Sequence, residues 1–212
     1  MEFTYIFVVS CSLALLFTVL INAAKDISIA GSKPFIWQIV FVTVWSVGAL
    51  MEMLSSTEQG MLLWRNIEQI GVFLLPVACV YFAIDYARYD RMKRFLPVLL
   101  IIPVVAIILI FTDSATHIMR YDYIVSYNPL FGHALSVRQT PVGKAFVAYN
   151  YTLAFISLII LFSFSRRVAK NLRRQVMLVL TATGLIFLFG LFKTVFLEGT
   201  NVNIPIVTLY LP

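Results

Sequence analysis

LLWRNIEQIGVFLLPVACVYFAIDYARYDRMKR, residues 62–94, decides how this chain folds. Its apolar run from Leu62 to Ile84 is followed at once by Arg88, Arg91, Lys93 and Arg94. About 20 apolar residues of helix cross the hydrocarbon core of a bilayer, and basic residues clustered at one end mark the cytoplasmic side. The segment therefore reads as a membrane span with a cytoplasmic anchor.

Five more spans lie to either side, at 3–23, 35–54, 95–112, 145–164 and 176–197. A further apolar run at 204–212 is too short to cross and reads as the start of a seventh helix, cut before it is complete. The expected fold is an all-α polytopic bundle, with six full helices and part of a seventh. The whole of 1–212 forms a single membrane-embedded domain. Met1-Glu2-Phe3 places no Lys or Arg ahead of the first apolar run, so that segment is expected to stay as a helix rather than be removed as a signal peptide.

Composition agrees. Of the 212 residues, 61% are hydrophobic and 12% are charged, with a mean hydropathy of +0.92. Soluble domains carry about twice that share of charge, so there is too little polar surface to solvate a globule. The net charge of +6 sits in short links between spans, which assigns it to the membrane surface and not to nucleic acid. Cys11 and Cys79 both fall inside apolar segments and read as small buried hydrophobes, with no disulfide or metal pairing expected.

The basic residues also set an orientation. Lys25, Lys33, Arg88, Arg91, Lys93, Arg94, Arg166, Arg167, Lys170, Arg173 and Arg174 fall in alternate links. Only Arg65, Arg120, Arg138 and Lys144 fall in the others. Eleven against four puts the first set in the cytoplasm and the N-terminus outside, in a multi-pass plasma-membrane protein. The one long connection, 113–143, is then extracellular. Tyr121, Tyr123, Val125 and Tyr127 alternate there at strand period, Asn128-Pro129 and Gly132 break the run, and 134–138 alternates weakly again. This predicts a small β-hairpin over the outer end of the bundle.

Four segments carry a family resemblance: WQIVFVTVWSVGALME at 37–52, LWRNIEQIG at 63–71, LLPVACVYFAIDY at 74–86, and, after a basic link and Pro103, TDSATH at 112–117. In this order they resemble the seven-helix N-terminal sensor region of bacterial membrane histidine kinases, which is also found on diguanylate cyclases. The resemblance implies a sensor whose output domain lies in cis on the cytoplasmic side, most often a kinase. The sensor itself would not be an enzyme.

Within the spans, Trp45, Gly48 and Glu52 share one helical face, and Trp64, Glu68 and Gly71 share another. Carboxylates near the bilayer face the bundle or water. Trp45, Glu52, Trp64 and Glu68 are thus candidates for an outward-open pocket suited to a small ligand or cation; the plainer reading makes them interfacial anchors. Lys193, near the outer end of helix six, could pair with Glu52 or Glu68, or snorkel to the surface. A retinal Schiff base is disfavoured because rhodopsins hold that lysine in the middle of the seventh helix. His117 and His133 in the outer loop are sixteen residues apart with no further ligand, a weak metal spacing; His117 is kept as a ligand-contact candidate. Pro76 and Pro103 interrupt helices three and four as kinks or hinges. Asp85 with Arg88 (i, i+3), and Tyr86 with Tyr89, sit at the inner end of helix three, where they read as a solvated interfacial pair or, more boldly, as a signalling contact. No catalytic, nucleotide-binding or metal motif is present, and no cofactor is expected. The function read from the sequence is a membrane sensor for a small ligand or peptide, compatible with a homodimer. The alternative is a small transporter or transporter subunit, although no inverted repeat relates the halves.

Overall fold

The computed structural model describes residues 2–25, 27, 31–128 and 132–196. Six long helices account for most of them: α1 (Glu2–Lys25), α2 (Ser32–Leu54), α3 (Glu58–Tyr86), α4 (Leu96–Phe111), α5 (Pro141–Ser165) and α6 (Lys170–Phe196). The expected partial helix at 204–212 lies outside the described residues. By length and composition, α2, α3, α4 with its 3-10 lead-in, and α5 are each long and apolar enough to cross a membrane. A shorter apolar stretch in α1 runs Val9–Lys25.

The helices start earlier than the apolar runs alone predicted, because polar residues build their first turns. Thr57 caps α3 by accepting the Gly60 N–H at 3.2 Å, and Thr140 caps α5 by accepting the Gly143 N–H at 3.2 Å. Such caps satisfy amides that have no partner within the helix. Pro141 then occupies the first turn of α5, where its missing N–H costs nothing. The link before α4 is not a loop. Asp90–Phe95, which contains Arg91, Lys93 and Arg94, winds as a 3-10 helix into α4.

The hub is α3. Within its spanning window 61% of residues are buried, against 17% for α4. One face of α3 packs Val77, Val80, Ala83 and Ile84 against Leu153, Ile160 and Leu161 of α5. Another places Phe73 beside Ala106 and Ile110 of α4. A third meets α2 at very short range. A Cβ on Gly48 would lie 2.8 Å from Glu68 Cα, and one on Gly71 would run into the Phe41 carbonyl and lie 2.8 Å from Trp45 N. Without side chains at these two points the backbones approach as closely as small residues permit in membrane helices.

The outward faces are those of a lipid-solvated bundle. Val98, Ile101, Val105 and Ile108 of α4 are exposed, as are Phe155, Ile159 and Phe162 of α5. On α1 a narrow stripe is buried: Val9, with Leu13, packs on Leu50 and Met53 of α2. Cys11 falls off that stripe and is exposed, contrary to its expected burial, while Cys79 is buried on α3.

At one end the chain leaves α4, makes a single helical turn (Asp113–Thr116) and forms the expected hairpin. Strands β1 (Arg120–Asn128) and β2 (Gly132–Gln139) pair antiparallel, with Tyr123 opposite Val137 and Val125 opposite Leu135. The alternation is imperfect. An irregularity between Arg120 and Asp122 inserts Tyr121 as an extra residue, so Tyr121 is exposed while Tyr123 turns partly inward. A bulge re-aims side chains in this way.

Candidate functional site

Below the hairpin, α2 and α3 bring three charges together. Arg65 Nη2 donates to Glu52 Oε1 at 2.7 Å, and its Nε lies 2.7 Å from Glu52 Oε2. The same Nε is 3.7 Å from Glu68 Oε2. The Trp45 indole N–H donates to Glu68 Oε1 at 3.0 Å. Both carboxylates are buried, Glu52 at 4% and Glu68 at 8% exposure. They face the interior of the bundle, as membrane carboxylates do when paired. Two carboxyl groups share one guanidinium, and the indole N–H gives Glu68 a further donor.

The hairpin closes over this network through the main chain of one residue. Leu135 N–H donates to Glu52 Oε1 at 3.3 Å, and Leu135 O accepts from Arg65 Nη2 at 2.9 Å. Amide and carbonyl of one strand residue point to the same edge, so β2 turns the edge away from β1 onto the ion pair. The Leu135 side chain is itself buried.

A second polar knot holds the base of the hairpin. Asp113, fully buried, accepts from Met119 N–H (2.7 Å), Arg120 N–H (3.4 Å), Arg120 Nε (3.0 Å) and the Tyr123 hydroxyl (3.1 Å). Arg120 Nη2 continues to Asn66 Oδ1 of α3 at 2.7 Å and to the Ile110 carbonyl at 3.2 Å. Loss of water around Tyr123 raises its phenol above the ordinary value; the Arg120 charge opposes this and Asp113 adds to it. Adjacent residues of α3, Arg65 and Asn66, thus reach the two strands separately.

A family model described as the N-terminal 7TM region of histidine kinase matches residues 5–211. The chain belongs to this family. No curated protein and no solved structure matches it.

Of the residues singled out in this histidine-kinase 7TM region, Trp45, Glu52 and Glu68 converge. Trp64 is half-buried on α3, and among the described residues no hydrogen bond joins it to the cluster. His117 does not belong to it. It is exposed, adopts a left-handed backbone (φ 50°), and lies 6.4 Å ring to ring from Tyr123, beside the second knot. The side chains of Lys193 and His133 lie outside the described residues. Arg65 and Arg120 are the residues that sequence reasoning missed. Both were counted as charges of connecting segments, yet Arg65 lies inside α3 and Arg120 is 7% exposed. The spacing of Arg65 to Glu68, three residues on one helix, was the available signal.

The opposite end of the 7TM region is also fastened. Asp85 accepts the Gly31 N–H at 2.7 Å and pairs with Lys93 at 2.5 Å; Lys93 also contacts Asp90 at 2.7 Å. This corrects the expected Asp85–Arg88 pair. Arg88 leaves the helix with φ 57° and is exposed, and the 3-10 turn returns Lys93 to Asp85 in its place. Tyr86 stacks on Phe82 (5.4 Å) and meets Phe164 of α5 edge-on (5.8 Å), and no ring contact with Tyr89 accompanies these among the described residues.

Proposed function

We infer that this 7TM region is the sensory input of a membrane signalling kinase, with the hairpin outside and the basic end in the cytoplasm. The observation that carries the reading is the capture of Leu135 by the Glu52–Arg65 pair. An extramembranous hairpin is held on α2 and α3 by a few polar contacts that a competing ligand, small molecule or peptide, can exchange. A ligand shifts such a bundle only by its differential affinity for two arrangements, and polar contacts at the hairpin supply that difference. The same helices run on to the Asp85–Lys93 end, where an output domain in cis would receive the motion.

Two outcomes are expected. In the full-length protein reconstituted in liposomes, Glu68→Gln and Glu52→Gln change the level of autophosphorylation while expression and insertion stay normal. Unchanged output in both, and in Trp64→Ala, would remove this site from signalling. The orientation rests on the eleven-to-four distribution of basic residues. On a Cys11→Ser background, a cysteine at exposed Tyr121 is labelled by an impermeant thiol reagent in intact cells, and one at Lys170 is protected. The reverse pattern would invert the topology.

A further inference from the structure

Proline has no N–H to give the carbonyl four residues before it. Pro76 therefore frees the carbonyl of Val72 in α3, and Pro103 frees that of Leu99 in α4; both prolines are buried inside their helices. Hydrocarbon offers no water to an orphaned carbonyl, so a neighbouring helix must supply a donor. Here both donors come from consecutive residues of α5. The Tyr149 hydroxyl donates to Leu99 O at 2.8 Å, and Asn150 Nδ2 donates to Val72 O at 3.4 Å. With 3.6 residues per turn, neighbouring side chains diverge by about 100°, so one residue serves α4 and the next serves α3.

The two bonds are unequal. That of Tyr149 is short. That of Asn150 is long, and its Oδ1 is buried with no hydrogen-bond partner among the described residues. A buried amide left with one long bond and an idle acceptor is the weaker half of the pair. It acts on Val72, between the hairpin-binding residues Arg65 and Asn66 at one end of α3 and Asp85 at the other.

We propose that Tyr149 and Asn150 form a clasp in which α5 sets the bends of α3 and α4 together, and that exchange of these two bonds is the step by which the bundle changes arrangement. Both are positioning residues. They stand in for missing peptide donors, and a side chain can let go where a peptide N–H cannot without unwinding the helix.

Restoring the peptide donors tests this. In a Cys11→Ser, Cys79→Ala background in nanodiscs, spin labels at exposed Val98 (α4) and Phe162 (α5) report one distance, and labels at exposed Arg88 and Phe162 report the other. Tyr149→Phe should redistribute the first pair's distance populations by about fivefold, the effect of one hydrogen bond. Asn150→Leu should do the same for the second pair. Pro103→Ala returns an N–H to Leu99 O and should abolish the effect of Tyr149→Phe; Pro76→Ala should abolish that of Asn150→Leu. Unchanged distances in the single variants, or shifts that persist undiminished on the alanine backgrounds, would overturn the clasp. If a single variant does not fold, its proline-to-alanine partner must rescue it, and failure of the rescue also overturns it. The result is independent of ligand and output, so it stands or falls apart from the sensory reading.

Discussion

Replacing Arg65 with methionine is expected to cost the folded bundle roughly 3–5 kcal/mol, the usual penalty for removing one partner of a buried ion pair. Glu52 and Glu68 would be left buried with no cation in contact among the described residues, and Leu135 O would lose its donor. Methionine replaces the aliphatic stem of the arginine with an apolar chain of similar width, so packing losses along the stem are small. Heat unfolding of the purified protein in detergent, followed by helical circular dichroism, reads the change. The triple variant Arg65→Met, Glu52→Gln, Glu68→Gln removes all three charges and should recover much of the lost stability, since neutral replacement of a buried ionic group is often tolerated. Its hairpin should still be cleaved faster by protease, because Leu135 has lost a charge-assisted clamp. An Arg65→Met protein that melts with the wild type would mean the network does not hold the helices.

Asp113→Ala is expected to do comparable damage by a different route. One carboxylate organises two backbone amides, a guanidinium and a phenol. Its removal strands Arg120 as a buried cation, again on the order of 3–5 kcal/mol, and leaves the Met119 amide unpaired. Because these groups lie where α4 ends and β1 begins, the loss should concentrate in the hairpin. Hydrogen exchange at Met119 to Tyr123 should speed up far more than exchange in α3. Asp113→Asn retains an acceptor and should fall between the two. Equal exchange rates in Asp113→Ala and wild type would show that the hairpin base is held by something else.

Much of the architecture was legible in the linear order of residues. Spans follow from apolar length, and the six predicted intervals differ from α1–α6 mainly at their ends, where Thr57 and Thr140 start helices that hydropathy alone places later. The hairpin was legible because Tyr123, Val125 and Tyr127 keep strand period between turn residues. The bulge at Tyr121 was not, since an extra residue changes pairing without changing composition. At the site, shared helical faces grouped Trp45 with Glu52; in the structure the Trp45 indole bonds Glu68, while Glu52 is bound by Arg65. The same reasoning grouped Trp64 with them, yet a face is broad, and only the close approach at Gly48 and Gly71 selects which part of it meets α2.

What the sequence by itself determined is what depends on neighbours along the chain: membrane solvation, helix positions, an asymmetric distribution of charge and the prolines that interrupt α3 and α4. What only the tertiary structure decided is which polar group answers which. Arg65 and Arg120 look like loop charges in the sequence because hydropathy assigns each residue to lipid or to water. Folding offers a third environment, a buried carboxylate supplied by another helix or turn. Likewise nothing adjacent to Pro76 or Pro103 shows who satisfies Val72 and Leu99. Tyr149 and Asn150 are distant in sequence, and their donors reach those carbonyls only once α5 has packed against α3 and α4.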